Sequence, residues 1–96
     1  MAKFLIEVDH GGDAIACGRT AQVFLASGSH YLTHSDWGCK DGVHTAWIIV
    51  EVETKEQARA ILPPADRPRA RVVALINFDE ALAQHRGSGT GGGEKK

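Results

Sequence analysis

The sequence has few cysteines, few prolines and no long apolar run: its 96 residues include two Cys, three Pro and one Met. Two cysteines are too few for the disulfide framework of a small secreted domain, so we expect Cys17 and Cys39 to be free thiols in a reducing cytoplasm. The apolar stretches are much shorter than the roughly 20 residues of a membrane-spanning helix. The residues from Met1 to Glu7 lack the apolar centre of a signal peptide. We therefore expect a cytoplasmic protein that makes no contact with membranes.

An excess of one charge is also lacking. Eleven Lys and Arg residues stand against twelve Asp and Glu residues, which gives a formal net charge of -1. The basic residues do not gather into a segment that could neutralise a row of phosphates. We therefore expect no binding of nucleic acid.

In the first half of the chain, hydrophobic periodicity predicts three strands and a helix. Alternating apolar residues predict a first strand over residues 3–9. Helical spacing after Asp13, a plausible N-cap, predicts a helix of about four turns. The dipeptide Asp41-Gly42 favours a two-residue hairpin turn. This turn would join strands over residues 30–40 and 43–53.

The second half of the chain predicts a short helix, a fourth strand and a last helical turn. Thr54 begins a capping-box pattern, and Pro63-Pro64 must end the helix that follows because proline cannot continue its hydrogen-bond ladder. Residues 71–78 read as a strand. Asp79 is predicted to cap a last helical turn or two that runs through Ala83.

The resulting order, βαββαβ, predicts an α+β fold of ferredoxin-like type. Its four-stranded antiparallel sheet would have the spatial order 4-1-3-2, with both helices on one face. The domain is expected to occupy residues 1–86, and the Gly-rich residues 87–96 are expected to form a flexible tail.

The third and fourth predicted strands are apolar on both sides, although two helices can cover only one face of the sheet. We therefore expect a homodimer in which the two sheets face one another. The residues expected to need this cover are Trp47, Ile49, Val73 and Leu75.

Two segments carry a family resemblance: Lys3-Phe4-Leu5-Ile6-Glu7, and the stretch from Pro63-Pro64-Ala65-Asp66 to Arg69-Ala70-Arg71-Val72-Val73. With the βαββαβ order, they resemble small dimeric α/β-barrel proteins, in particular the nickel-binding proteins of ferredoxin-like fold and the muconolactone-isomerase-like group. In layout, the resemblance covers about residues 1–85. It implies a dimeric α/β barrel with histidine and carboxylate ligands near the open sheet face, where Glu7 and the region of His34 occupy comparable positions. Residues 30–39 differ from both groups, which favours a separate branch.

Candidate metal ligands are densest around the predicted hairpin; they are His30, His34, Asp36, Cys39 and His44. A two-residue turn would place Cys39 opposite His44, with Cβ atoms about 4.5 to 5.5 Å apart. A thiolate and an imidazole could then bind one Zn, Ni or Cu ion. A bulge at Gly38 would bring His34 and Asp36 to the same side. The alternative is that these are ordinary hairpin residues, with Cys39 as a small, half-buried apolar side chain.

A second hypothesis is an enzyme without a cofactor, of isomerase or monooxygenase-like type, that binds a small molecule on the open sheet face. Glu7 and Asp9 point to the same side of the first strand, and a carboxylate in a dimer-closed pocket could act as a general base beside His34. Alternating charges of this kind are also typical of a solvated or salt-bridged sheet face. A third hypothesis is a structural or regulatory dimer without a ligand.

Overall fold

Four strands form one antiparallel sheet in the computed structural model, which describes residues 1–86. The prediction of a tail over residues 87–96 lies outside the described residues. The strands are β1 (Ala2–Asp9), β2 (Asp36–Trp37), β3 (Thr45–Val52) and β4 (Ala70–Leu75). The helices are α1 (Ala14–Ser27), α2 (Lys55–Ala60) and α3 (Phe78–Arg86). Short 3-10 turns lie at Leu32–His34, Cys39–Asp41 and Pro64–Arg69.

The sheet has β1 at its centre. β1 pairs antiparallel with β3 on one side and with β4 on the other, and β2 pairs with β3, so the spatial order is β2-β3-β1-β4. Leu5, for example, lies opposite both Ile49 and Val73. The prediction of an α+β chain with a four-stranded antiparallel sheet is confirmed.

The core lies between one face of this sheet and the helices. Alternate residues of β1 (Phe4, Ile6 and Val8) are buried in one cluster with Phe24 of α1 and Ala58 of α2. Both helices therefore cover the same side of the sheet. On the opposite side the β3 residue Ile49 is 59% exposed, so this face keeps apolar surface in contact with solvent.

Local capping fixes where the first two helices begin. The Asp13 side chain accepts a hydrogen bond from the backbone N–H of Ala16 at 2.7 Å, as predicted for the N-cap of α1. Thr54 and Gln57 form the predicted capping box at the start of α2. These contacts satisfy backbone donors that the first helical turn leaves without partners.

The prediction of a long second strand over residues 30–40 is wrong, because only Asp36–Trp37 pair as β2. The chain before it folds into a 3-10 turn that buries Leu32 in the core. The Thr33 hydroxyl and backbone N–H both bond to the Ser29 carbonyl. Such local side-chain bonds compete with strand pairing.

The predicted two-residue turn at Asp41-Gly42 is also wrong. The type I′ turn that Asp-Gly favours needs positive φ at both central residues, but of these two residues only Gly42 has it, at 79°. The chain instead turns through Cys39–Asp41, and the Gly38 carbonyl accepts bonds from the N–H groups of Asp41 and Val43. Gly38 thus begins a 3-10 turn and does not form the predicted bulge.

The last helix starts earlier and runs further than predicted. The Asn77 side chain, rather than Asp79, caps it: Asn77 Oδ1 accepts from the Glu80 N–H at 2.8 Å, and Glu80 Oε1 accepts from the Asn77 N–H at 3.2 Å. α3 then continues to Arg86. Within the described part of the chain, no helix combines the length and apolar character needed to cross a bilayer.

Candidate metal centre

Two imidazoles and two thiols converge where β1 ends, α1 begins and the β2–β3 loop turns. They belong to His10, Cys17, Cys39 and His44. Each offers one nitrogen or sulfur atom, and these four atoms all lie within 4.8 Å of one another.

The sheet register brings the two histidines together. His10 directly follows β1, and its backbone N–H donates to the His44 carbonyl at 3.1 Å. This bond continues the β1–β3 ladder by one pair beyond Asp9 and Thr45. Residues opposite each other in a ladder project to the same face. His10 therefore points to the same face of the sheet as Val8, the core face, and is only 1% exposed.

The first cysteine is held by the helix. Cys17 lies in the first turn of α1, where its backbone N–H donates to the Asp13 carbonyl at 3.2 Å. It is buried on the helix face that carries Phe24. Helix packing against the sheet therefore aims the thiol at the end of β1.

The second cysteine is placed by a loop that requires glycine. A Cβ atom on Gly38 would lie 2.7 Å from the Val43 carbonyl oxygen and 3.0 Å from two ring carbons of Trp47. The absence of a side chain at Gly38 lets the chain turn tightly against Trp47. Cys39 follows immediately, half-buried, and enters the cluster.

The distances within the cluster are short. Cys17 Sγ lies 2.7 Å from Cys39 Sγ and 3.0 Å from His44 Nδ1, and His10 Nε2 lies 3.0 Å from Cys17 Sγ and 3.1 Å from Cys39 Sγ. With Zn–S bonds of about 2.3 Å and Zn–N bonds of about 2.0 to 2.1 Å, tetrahedral ligand atoms are about 3.3 to 3.8 Å apart. The four contacts above are shorter than this, so a bound ion would require these atoms to move apart by about 1 Å. The other pairs of ligand atoms lie within 4.8 Å of each other.

The surroundings control the protonation of two of the four groups. Burial, and secondarily the nearby His44, hold the pKa of His10 below its ordinary value of 6.5. His10 is therefore neutral at neutral pH, as a ligand must be. Burial, and secondarily the neighbouring Cys39, raise the pKa of Cys17 to about 11. The Cys17 thiol is thus protonated in the metal-free site and releases its proton when it binds a metal.

Aromatic rings cover one side of the cluster. The Trp37 ring lies 4.8 Å from the His10 ring and 5.3 Å from the Phe24 ring, measured between centroids. These rings exclude water from His10. They also place an indole fluorophore next to a ligand.

Of the five predicted metal ligands, the structure brings together only Cys39 and His44. His34 Nδ1 donates to the His30 carbonyl at 2.8 Å, and the two rings lie tilted at 43° with centroids 4.6 Å apart. Asp36 is exposed on β2. His30, His34 and Asp36 lie outside the cluster because a 3-10 turn replaces the predicted strand, and the bulge at Gly38 does not form.

The three predicted catalytic residues have separate local partners. Glu7 accepts a hydrogen bond from Trp47 Nε1 at 3.2 Å and lies 3.8 Å from Arg71. Asp9 accepts a bond from the Gly11 N–H at 3.2 Å, while the His34 ring is bonded to His30. For Glu7 and Asp9, these contacts are those expected of a solvated or salt-bridged sheet face.

Sequence reasoning missed His10 and Cys17 as ligands, although both carried a signal. His10 continues the parity of Phe4, Ile6 and Val8, which points it to the core face. Cys17 lies on the apolar face of α1 with Phe24. A buried histidine and a buried cysteine beside the loop of Cys39 and His44 complete a set of two nitrogens and two sulfurs.

Comparisons of the chain with protein-family models, with curated proteins and with solved structures found no match.

Proposed function

We propose that this protein binds a divalent transition metal through His10, Cys17, Cys39 and His44. The observation that carries the proposal is the convergence of four nitrogen and sulfur atoms within 4.8 Å of one another. They come from the end of β1, from α1 and from the β2–β3 loop. Thiol and imidazole groups are the ligands that Zn, Ni and Cu share.

Zn²⁺ fits this ligand set best among the three metals. Two thiolates and two imidazoles around a small volume are typical of tetrahedral zinc. Ni²⁺ and Cu²⁺ more often adopt square-planar or tetragonal sites rich in nitrogen and oxygen. The short contacts on all sides of Cys17 favour a compact arrangement over a planar one.

Four protein ligands complete a tetrahedron and leave no position for a catalytic water. The proposed role is therefore to bind or sequester metal, and to tie β1, α1 and the β2–β3 loop together. The alternative of an enzyme without a cofactor has less support, because Glu7, Asp9 and His34 contact different partners. The four ligands also lie on the helix side of the sheet, whereas the family resemblance implies ligands near the open face.

We further propose a ferredoxin-like homodimer that closes over the helix-free face of the sheet. The order βαββαβ, with β1 at the centre and β2 at an edge, supports this fold. Across that face runs an apolar row of Val73, Leu5 and Ile49. An apolar row of this kind favours burial against another surface.

Charge balance supports a second copy of the chain as the partner. On one side of the apolar row Lys3 lies opposite Glu51, and on the other side Glu7 lies opposite Arg71. Each flanking row therefore carries one acid and one base. A surface with this pattern can meet its own copy without placing like charges against each other.

Elemental analysis of freshly purified protein tests the metal proposal. We expect about one metal ion per chain, by the ligand count of a single tetrahedral site. His44→Ala and Cys17→Ser should lose most of it, whereas His34→Ala, a matched change of a histidine outside the cluster, should retain it. Protein that stays metal-free after incubation with zinc, nickel and copper salts would refute the proposal.

A further inference from the structure

The two thiols of the cluster are its closest pair, with 2.7 Å between Cys17 Sγ and Cys39 Sγ. The sulfur atoms of a disulfide are about 2.0 Å apart. The two sulfurs therefore lie within 1 Å of bonding distance. They reach this position from separate elements, Cys17 from the first turn of α1 and Cys39 from the loop between β2 and β3.

We propose that Cys17 and Cys39 are also an oxidisable dithiol, which a hydroperoxide converts to an intramolecular disulfide that releases the bound metal. This inference rests on the proposed metal site and adds a modification that opposes metal binding. The same two sulfur atoms serve both states, so the metal-bound and disulfide forms exclude each other.

The difference in exposure between the two cysteines sets the order of the steps. Cys39 is half-buried, whereas Cys17 is buried on the inner face of α1. A hydroperoxide reaches Cys39 first. The Cys39 thiolate attacks one peroxide oxygen, the O–O bond breaks, and the leaving oxygen takes up a proton, which forms water when the oxidant is hydrogen peroxide. Cys39 then carries a sulfenic acid.

Cys17 completes the reaction because it is already in contact with Cys39. Cys17 gives up its proton as its sulfur attacks Cys39 Sγ, the S–O bond of the sulfenic acid breaks, and the departing hydroxyl takes up a proton and leaves as a second water. In sum, the Cys39 thiolate, the Cys17 thiol, one hydrogen peroxide and one proton give one disulfide and two waters. The two sulfurs lose two electrons and the peroxide gains them.

Loss of the metal follows from the change at sulfur. Disulfide sulfurs carry no negative charge and are poor ligands, since the thiolate is the form that binds metal. Only the imidazoles of His10 and His44 would remain, too few for a stable zinc site. A thiol reductant should break the disulfide and restore the site.

The experiment uses the full chain in two forms, one loaded with zinc and one stripped by a chelator. Both are treated with hydrogen peroxide. Intact mass measures the loss of two hydrogens, and a chromogenic chelator measures released zinc. We expect one zinc ion released for each disulfide formed, and recovery of both thiols and zinc binding after dithiothreitol.

Four variants test how the disulfide and the metal site are related. Cys17→Ser and Cys39→Ser should form no intramolecular disulfide. His44→Ala keeps both thiols but removes one ligand, so it should bind zinc weakly and still form the disulfide. His34→Ala, outside the cluster, should behave like the unchanged chain.

The outcomes distinguish this inference from the proposed function. Stripped protein that keeps both thiols, or that gains only oxygen atoms in mass, would overturn the dithiol. Zinc-loaded protein that forms the disulfide and retains its metal would overturn the release step. If stripped protein forms the disulfide but no form of the chain binds metal, the metal site fails while the dithiol stands.

Discussion

His10 combines a titratable ring with nearly complete burial, at 1% exposure. A charged imidazole in this position would lose its hydration and lie close to His44. The ring is therefore held neutral, with Nε2 directed at both sulfurs. At the residue scale, burial makes protonation of the ring unfavourable, which leaves its nitrogen in the form that could bind a metal.

Metal-free protein should become less stable as pH falls below 6.5. The folded-state pKa of His10 lies below its ordinary 6.5, so in this range the unfolded chain binds more protons than the folded chain. The free energy of unfolding then declines until pH passes below the folded-state value. Urea unfolding at several pH values measures this decline. His10→Leu should make the free energy of unfolding depend less on pH, whereas His34→Ala should leave its pH dependence unchanged. Equal slopes in all three proteins would contradict the prediction.

Metal affinity should rise with pH through the neutral range. Because the pKa of Cys17 is raised to about 11 in the metal-free site, binding near neutral pH must release its proton, and affinity gains up to about tenfold per pH unit for each proton released. Zinc titrations by calorimetry, in buffers of different ionisation enthalpy, would count the protons from the dependence of the binding heat on the buffer. Binding that releases none would contradict the assignment of Cys17 as a ligand.

Cys39→Ser should weaken zinc or nickel binding at least tenfold, about 1.4 kcal/mol. The substitution removes the soft sulfur ligand and nearly preserves its volume. The half-buried position of Cys39 means that metal-free stability should change little. Competition with a chelator of known affinity measures the first effect, and thermal unfolding measures the second. Unchanged zinc and nickel affinity in both Cys39→Ser and His44→Ala would mean that these residues are ordinary loop residues and not metal ligands.

At the scale of elements, the cluster depends on how the β2–β3 loop turns. Gly38 donates its N–H to the Thr45 carbonyl at 3.0 Å and accepts two bonds on its own carbonyl. The Trp47 ring lies against it from the open side of the sheet. The loop therefore has little freedom to shift without moving Cys39.

Gly38→Ala should destabilise the chain by about 1 to 3 kcal/mol, the usual cost of forcing extra volume into a packed site. The new Cβ would meet the Val43 carbonyl oxygen at 2.7 Å, so the loop must move and zinc affinity should fall at least tenfold.

Gly18→Ala in α1 is the matched control. Its Cβ would meet nothing within 4 Å, and replacing glycine in a helix interior should stabilise by about 0.5 to 1 kcal/mol. Denaturant unfolding compares the two variants. If both variants changed stability in the same direction, a side chain at position 38 would not disturb the loop as expected.

At the scale of the whole molecule, the two sides of the sheet differ. One side is closed by α1 and α2, while the other presents the apolar row of Val73, Leu5 and Ile49 between two rows of paired charges. The Trp47 indole belongs to this open side and also covers Gly38. A partner on the open face would therefore contact the outer side of the β2–β3 loop.

Ile49→Asp should convert a dimer to a monomer, because it places an uncompensated charge at the centre of the proposed interface. Light scattering at about tens of micromolar, a range that suits a stable interface, measures the mass. Ile15→Asp is the control, since Ile15 is 71% exposed on α1 and should leave the mass unchanged. A monomeric unchanged chain at that concentration would rule out the proposed dimer.

Several features followed from the sequence because their causes are local. Asp13 caps α1, Thr54 and Gln57 form a capping box, and the alternation of β1 gives a buried and an open face. Each depends on residues within a few positions of one another. The choice of Cys39 and His44 as ligands was also local, because the two residues are close in sequence, although the turn between them is not the predicted one.

Tertiary structure decided the rest. Burial of Leu32 in the core replaced a predicted strand with a 3-10 turn and removed His30 and His34 from the site. Packing of α1 on the sheet brought Cys17 within 2.7 Å of a sulfur 22 positions later, and the β1–β3 register placed His10 opposite His44. Alternation along β1 could place His10 on a core face, and helical spacing along α1 could do the same for Cys17. Only the packing of the helix against the sheet, which depends on the entire core, could bring those faces together at one point.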